Sequence, residues 1–263
     1  MRFILGKNKE QRMSGQSNFS IRCQNCSFNH LCIPVALNQT EMESLDDIIE
    51  RKRPLHKNDQ LTIPGQSFTS LFAIRSGSFK SYITSSDGEQ QITGFHFPGD
   101  IVGFDGLHSQ QYQSFTQAME TSMICELPYE KLDEMSSHLP ALRKEMLKIM
   151  STEINQDHSM MMILNKRTAE ERLGHFLVNL SDRFSQRGFS STEFNLTMTR
   201  NEIGNHLGLT VETVSRLLTR FQKENIISVD GKLIVITDEA ALKGKIGQQL
   251  DDVSCSEKLG QRA

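Results

Sequence analysis

Leu196-Thr197-Met198-Thr199-Arg200-Asn201-Glu202-Ile203-Gly204-Asn205-His206-Leu207-Gly208-Leu209-Thr210 is the stretch from which the fold can be read. Thr199 with Glu202 three residues on is a capping box, which opens a short helix. Gly208 supplies the positive φ that ends it, and Thr210 caps a second helix expected over residues 211–223. Two short helices joined by a glycine-containing turn make a helix-turn-helix. The second helix has two faces. Val214, Leu217, Leu218 and Phe221 can pack on Ile203 and Leu207, whereas Val211, Glu212, Ser215, Arg216 and Thr219 point the other way.

That outward face has the chemistry of a major-groove reader. Arginine grips guanine O6 and N7 with two hydrogen bonds and glutamate accepts from cytosine N4. Glu212 and Arg216 are one helical turn apart, so one G·C pair could satisfy both. The plainer reading is a surface i, i+4 ion pair worth a few tenths of a kcal/mol, and within a helix-turn-helix the base-reading role is the stronger. Beyond the helix, Ile226-Ile227-Ser228-Val229 and Leu233-Ile234-Val235-Ile236 flank Asp230-Gly231-Lys232, a tight hairpin that would form a wing. Arg200, Arg220, Lys223 and Lys232 are placed to reach phosphates. The DNA-binding unit is thus expected over residues 167–237, with a polar tail over 238–263.

Upstream, residues 140–166 hold no Pro or Gly after Pro140, which suits a helix start. Leu147, Met150, Ile154, Asp157, Met161 and Leu164 follow spacings of 3, 4, 3, 4 and 3, the seam of a two-stranded coiled coil. A dimer helix is expected there, with Asp157 as the member that does not belong. Before it, from about residue 55 to 127, short apolar runs alternate with the turn signals Pro64-Gly65, Ser76-Gly77, Asp87-Gly88 and Pro98-Gly99-Asp100, as in an antiparallel sandwich or roll. Met42, Leu45, Ile48 and Ile49 predict an amphipathic helix within residues 39–53. A sensor domain is therefore expected over residues 21–139, behind a polar, disordered N-terminus at 1–20.

The 263 residues carry a net charge of −3, and acids outnumber bases over residues 41–164 while bases slightly exceed acids over 166–245. No apolar run approaches the roughly 18 residues of a membrane span, and the first residues lack the apolar core of a signal peptide. The expected location is the cytoplasm, without a membrane partner. Five cysteines in that setting are thiols or metal ligands rather than disulfides. Cys23, Cys26 and Cys32 crowd into ten residues, while Cys125 and Cys255 lie far off. Four thiolates can hold Zn²⁺ or an iron–sulfur cluster, and the spacing leaves both open.

The chain resembles the fumarate and nitrate reduction regulators, the oxygen-sensing branch of the cyclic-AMP receptor protein superfamily. The resemblance runs over about residues 21–237. It rests on Cys23-Gln24-Asn25-Cys26 through Leu31-Cys32-Ile33-Pro34, Ala73-Ile74-Arg75-Ser76-Gly77, Gln91-Ile92-Thr93-Gly94-Phe95-His96 and Leu207-Gly208-Leu209-Thr210-Val211-Glu212-Thr213-Val214-Ser215-Arg216. It implies an α+β protein: an antiparallel β-roll of the cyclic-nucleotide-binding kind, a long dimerisation helix and a winged helix-turn-helix. It also implies that Cys23, Cys26, Cys32 and Cys125 hold a [4Fe-4S] cluster, which oxygen converts to [2Fe-2S] with loss of the homodimer. The DNA target implied is double-stranded, an inverted repeat of TTGAT-like half-sites, with Ser215 beside a thymine. RNA polymerase is an implied partner through β-roll loops; residues 84–89 form the matching loop and depart from the family's pattern.

Other functions fit less well. A cyclic phosphate needs an arginine fork on the roll, and residues 76–142 contain no Arg; no cyclic nucleotide is expected. His30, His56, His96, His108 and His138 could ligate haem, but no C-x-x-C-H attachment motif accompanies them. No Gly-rich phosphate loop or nucleophile elbow suggests an enzyme.

Overall fold

The computed structural model describes residues 22–246. Cys23–Asn25, Asn29–Leu31 and Ile33–Ala36 are three 3-10 turns that carry the cysteine segment, and Ile33 is fully buried at its end. Helix α1 (Gln39–Ile48) opens on a capping box between Asn38 and Glu41 and buries Leu45. It ends earlier than the apolar pattern predicts because Ile49 turns extended and the chain enters a sheet at Glu50.

Eight strands follow: β1 (Glu50–Arg51), β2 (Gln60–Thr62), β3 (Ser70–Ser76), β4 (Phe79–Thr84), β5 (Gln90–His96), β6 (Ile101–Val102), β7 (Phe115–Ala118) and β8 (Met123–Pro128). They build two antiparallel sheets, ordered β1-β8-β3-β6 and β2-β7-β4-β5. Leu71, Ile74, Phe79, Ala118, Ile124 and Leu127 share one core; each large side chain there contributes about 1.5–3 kcal/mol. The hairpin expected at Asp87-Gly88 joins β4 to β5, with Tyr82 opposite Ile92 and Gly88 at φ +82°.

Helix α2 (Tyr129–His138) then leads to α3 (Pro140–Lys166), which spans the residues predicted for the dimer helix. One side of α3 belongs to the roll: Leu142 is fully buried, and Met146 and Ile149 pack beside it. The seam lies on another side.

The DNA-binding unit comprises α4 (Ala169–Gln186), β9 (Glu193–Asn195), α5 (Arg200–Leu207), α6 (Val211–Lys223), β10 (Ile227–Asp230), β11 (Leu233–Ile236) and α7 (Glu239–Gly244). Leu173, Leu177 and Leu180 of α4 form its centre with Ile203, Leu207, Val214 and Phe221. The wing is three-stranded, in the order β10-β11-β9, because β9 adds to the expected hairpin. A polar tail was expected from residue 238; instead residues 238–246 belong to the fold. Asp238 caps α7, and Leu242 and Ile246 are buried against α4, where an added Cβ at Gly174 would lie 3.1 Å from Ile246. Cys255 and the expected disordered stretch at 1–20 lie outside the described residues. Among the described residues no helix is long and apolar enough to cross a membrane.

Candidate metal centre and nucleic-acid interface

Cys23, Cys26, Cys32 and Cys125 line one cavity. Three come from the 3-10 segment. Cys125 comes from β8, where Ala73 of β3 and Arg51 of β1 flank it. The cysteine segment is pinned at both ends: the Cys23 amide donates to Asp46 Oδ1 at 2.9 Å, and Ile33 anchors the far end. The rest of the lining is mostly apolar, including Phe28, Leu45, Ala73 and Leu127, with Arg51 and Arg75 as its cationic members. All four sulfurs are free of disulfides. Burial pushes the Cys32 thiol up to about 12 and raises Cys23 as well, where Asp46 adds to the effect. Burial raises Cys125 too, against the opposing pull of Arg51 and Arg75. In the bare protein Cys23, Cys32 and Cys125 therefore favour the neutral thiol, and binding a metal centre there must release their protons. Among the described residues no three His, Cys, Asp or Glu side chains converge to hold a single ion.

The outward face of the second helix of the helix-turn-helix is built as the sequence implies. Glu202 and Thr199 close the capping box of α5, Gly208 takes φ +62°, and Thr210 accepts from the Thr213 amide at 3.2 Å. Val214, Leu217, Leu218 and Phe221 are buried, leaving Val211, Glu212 and Arg216 exposed and Ser215 half-buried. Arg200 Nη1 donates to Ser215 Oγ at 3.4 Å, so the first helix lends a cation to this face. One candidate phosphate contact is engaged elsewhere: Arg220 pairs with Glu170 at 2.7 Å and Glu224 at 2.9 Å, and Lys245 bridges the same two carboxylates. Lys223 and Lys232 remain exposed.

On α3, Leu147, Ile154 and Met161 are 61%, 53% and 58% exposed, at intervals of seven residues. Asp157 lies exposed on the same stripe, with Met150 and Leu164 half-buried beside it.

A set of contacts between the two units has no sequence signal. Asp100, after β5, binds Arg183 Nη2 at 2.5 Å and Arg187 Nη2 at 2.6 Å on either side of the end of α4. Burial opposes the Asp100 carboxylate, yet the two guanidinium groups outweigh it and hold it below its usual range. Lys80 of β4 pairs with Glu202 of α5 at 2.7 Å.

A β-roll, a long helix and a winged helix-turn-helix in this order define a Crp-like transcription regulator rather than an enzyme. The Crp-like helix-turn-helix domain matches residues 171–244 and the cyclic nucleotide-binding domain matches residues 52–138. The chain belongs to the fumarate and nitrate reduction regulatory protein family, as the resemblance led one to expect. It is 56% identical over 223 residues to the fumarate and nitrate reduction regulatory protein of Vibrio cholerae, covering 85% of this chain and 89% of that one. It is 54% identical over 236 residues to electron transport regulator A of Shewanella oneidensis, covering 90% and 94%. In fold it is similar to FixK2 from Bradyrhizobium japonicum, with a TM-score of 0.70 at 24% identity over 75% of this chain and 97% of that one.

Proposed function

We propose that this protein is an oxygen-responsive regulator acting in the cytoplasm. Cys23, Cys26, Cys32 and Cys125 hold a [4Fe-4S] cluster under anaerobic conditions, α3 forms the homodimer, and Val211, Glu212, Ser215 and Arg216 read an inverted repeat in double-stranded DNA. Binding there activates or represses genes of anaerobic metabolism. The observation that carries this reading is the shared cavity of the four cysteines. A mononuclear site needs its donors to converge on one ion, whereas a cubane takes one thiolate on each of four irons. Four cysteines around one mostly apolar cavity suit the second.

When bound, the cluster supplies an oxygen-labile bond between the N-terminal segment and the roll. The residues of the chain do the rest. Arg51 and Arg75 place positive charge beside the four cysteines, and the rest of the lining is mostly apolar. The exposed stripe of Leu147, Ile154 and Met161 offers a seam to a second copy. The names of the relatives support the regulatory role. A cyclic nucleotide is not the effector in this reading, since Lys80 on the roll is paired with Glu202 and residues 76–142 lack arginine. RNA polymerase is the further partner in this reading.

Iron and sulfide analysis of anaerobically purified protein, with absorption spectra, sedimentation and DNA binding before and after air, tests this. About four irons and four sulfides per chain are expected, with broad charge-transfer absorption that bleaches in air as the dimer and DNA affinity are lost. A colourless protein holding one zinc, or a sharp Soret band, overturns it.

A further inference from the structure

Between Cys26 and Cys32 the chain turns outward and touches the DNA-binding unit of the same protomer. His30 Nε2 lies 3.1 Å from the backbone carbonyl of Gln186, at the last residue of α4. The Phe28 ring sits against Phe189, with centroids 6.1 Å apart. Leu31 lies against the turn after β5 so closely that an added Cβ at Gly99 would stand 2.8 Å from Leu31 Cβ. The next residue is Asp100, bound to both Arg183 and Arg187. The same arginines donate to the turn's backbone, Arg183 to Phe95 O and Arg187 to Pro98 O, each at 2.8 Å. Their guanidinium groups also lie over Phe97, at 4.7 and 5.7 Å from the ring centre.

We infer that residues 28–31 and the turn at residues 97–100 form a direct coupling contact, which passes the state of the cysteine segment to the DNA-binding unit within one protomer, with Asp100 as the positioning residue. The contact begins between two of the cysteines and ends on the first helix of the DNA-binding unit, without passing through α3. Whatever moves Cys26 and Cys32 must move Phe28, His30 and Leu31, because only a few residues separate them. The other side is equally constrained. Asp100 is held from both sides of the α4 terminus, so the turn and the helix shift together or the ion pairs break. Chains of packed and ion-paired groups of this kind can carry coupling between two sites. The contact therefore orients the DNA-binding unit apart from any change of oligomeric state.

This inference deepens the cluster reading, so its test includes an iron-free arm. Amide hydrogen exchange over residues 183–190 is followed in wild type, Asp100→Asn and the double variant His30→Ala/Leu31→Ala, neither of whose residues lines the cysteine cavity. Without iron, both variants should exchange there at least tenfold faster than wild type, at unchanged monomer mass and helix content. With the cluster loaded to equal iron and sulfide, wild type should show a further change in protection at residues 183–190. The double variant, which leaves the lining of the cysteine cavity intact, should lose that change while its dimer mass stays the same. Wild-type exchange in both iron-free variants, or an undiminished cluster response in the double variant, overturns the coupling. Absence of iron from wild type overturns the cluster reading instead, and the iron-free arm still decides the contact.

Discussion

Asn205 completes the open edge of β5 at Ile92. Its Oδ1 accepts from the Ile92 amide at 2.6 Å and its Nδ2 donates to Gln90 O at 2.6 Å, as a neighbouring strand would. β5 is the last strand of its sheet, and an unpaired edge invites association unless covered. Here the first helix of the helix-turn-helix is the cover. Asn205→Ala leaves one donor and one acceptor without partners, at about 1–3 kcal/mol for each group that water cannot reach. Faster hydrogen exchange at the Ile92 amide, with lower thermal stability of the iron-free monomer, is the expected result. Unchanged exchange at Ile92 means that the edge is protected by other groups.

Cys125→Ser should abolish stable cluster binding and leave the roll folded, since Cys125 is the only one of the four cysteines on a strand of the roll and oxygen replaces sulfur with little change in volume. Circular dichroism should match wild type while iron and sulfide fall to background. Retention of the wild-type visible spectrum would move the fourth ligand elsewhere.

Arg216→Ala should cost about 1–3 kcal/mol in binding to an inverted repeat of TTGAT half-sites and relax the choice at the G·C pair. The two half-sites belong one helical turn apart, about 34 Å, if two copies present α6 to successive major grooves. Competition against singly substituted sites measures both effects. Weakening by the same factor on every sequence would make Arg216 a phosphate contact.

The helix-turn-helix was legible because its signals are local: Thr199 with Glu202, Gly208, Thr210 and the two-faced pattern of α6 all act within a few residues. The cysteine set was legible through family resemblance rather than spacing, which leaves zinc open. α2 escaped notice because Leu132 is its one buried large apolar side chain, too little for a period. The tail was misread because Leu242 and Ile246 are apolar residues in a polar stretch, and only the space at Gly174 shows where they go. Asp100 with Arg183 and Arg187 had no sequence signature at all, since a charge pair across more than eighty residues has no period.

Glu153 on α3 makes stability depend on pH. Burial, with Asp157 adding to it, pushes its carboxyl up to about 7. Its contribution is fully present below the unfolded value near 4.5 and is lost as pH rises through 7. His96 acts in the other sense: burial pushes it down to about 4, so its contribution is lost as pH falls from 6.5 towards 4. The two oppose each other in the wild type, and a substitution separates them. At about 1.4 kcal/mol for each tenfold change in proton affinity, Glu153→Gln should gain roughly 3 kcal/mol at pH 8 and less than about 1 kcal/mol at pH 5. Thermal melts of the iron-free protein at both values measure this; an equal gain at the two rules the ionisation out.

Asp157 is the charged member of the exposed seam, and in a parallel dimer it would face its own copy. At ~6 Å and an effective dielectric of about 20, two carboxylates repel by roughly 3 kcal/mol, less where solvent screens the rim. Leu147, Ile154 and Met161 stand against this, each contributing on the order of 1.5–3 kcal/mol if pairing buries it fully. Over both copies these sum to at most about 9–18 kcal/mol, against the repulsion plus the roughly 4–15 kcal/mol that association itself costs, so a small displacement of α3 suffices to decide between monomer and dimer. On the proposed reading, repulsion prevails without the cluster and the seam closes with it. Asp157→Ala should therefore dimerise and bind the inverted repeat in air without iron, and Ile154→Ala in the same background should undo that gain by removing apolar area. Sedimentation of both variants in aerobic buffer, at concentrations where anaerobic wild type is dimeric, measures the balance. A monomeric Asp157→Ala under those conditions would show that the carboxylates lie outside the contact and that another group holds the copies apart.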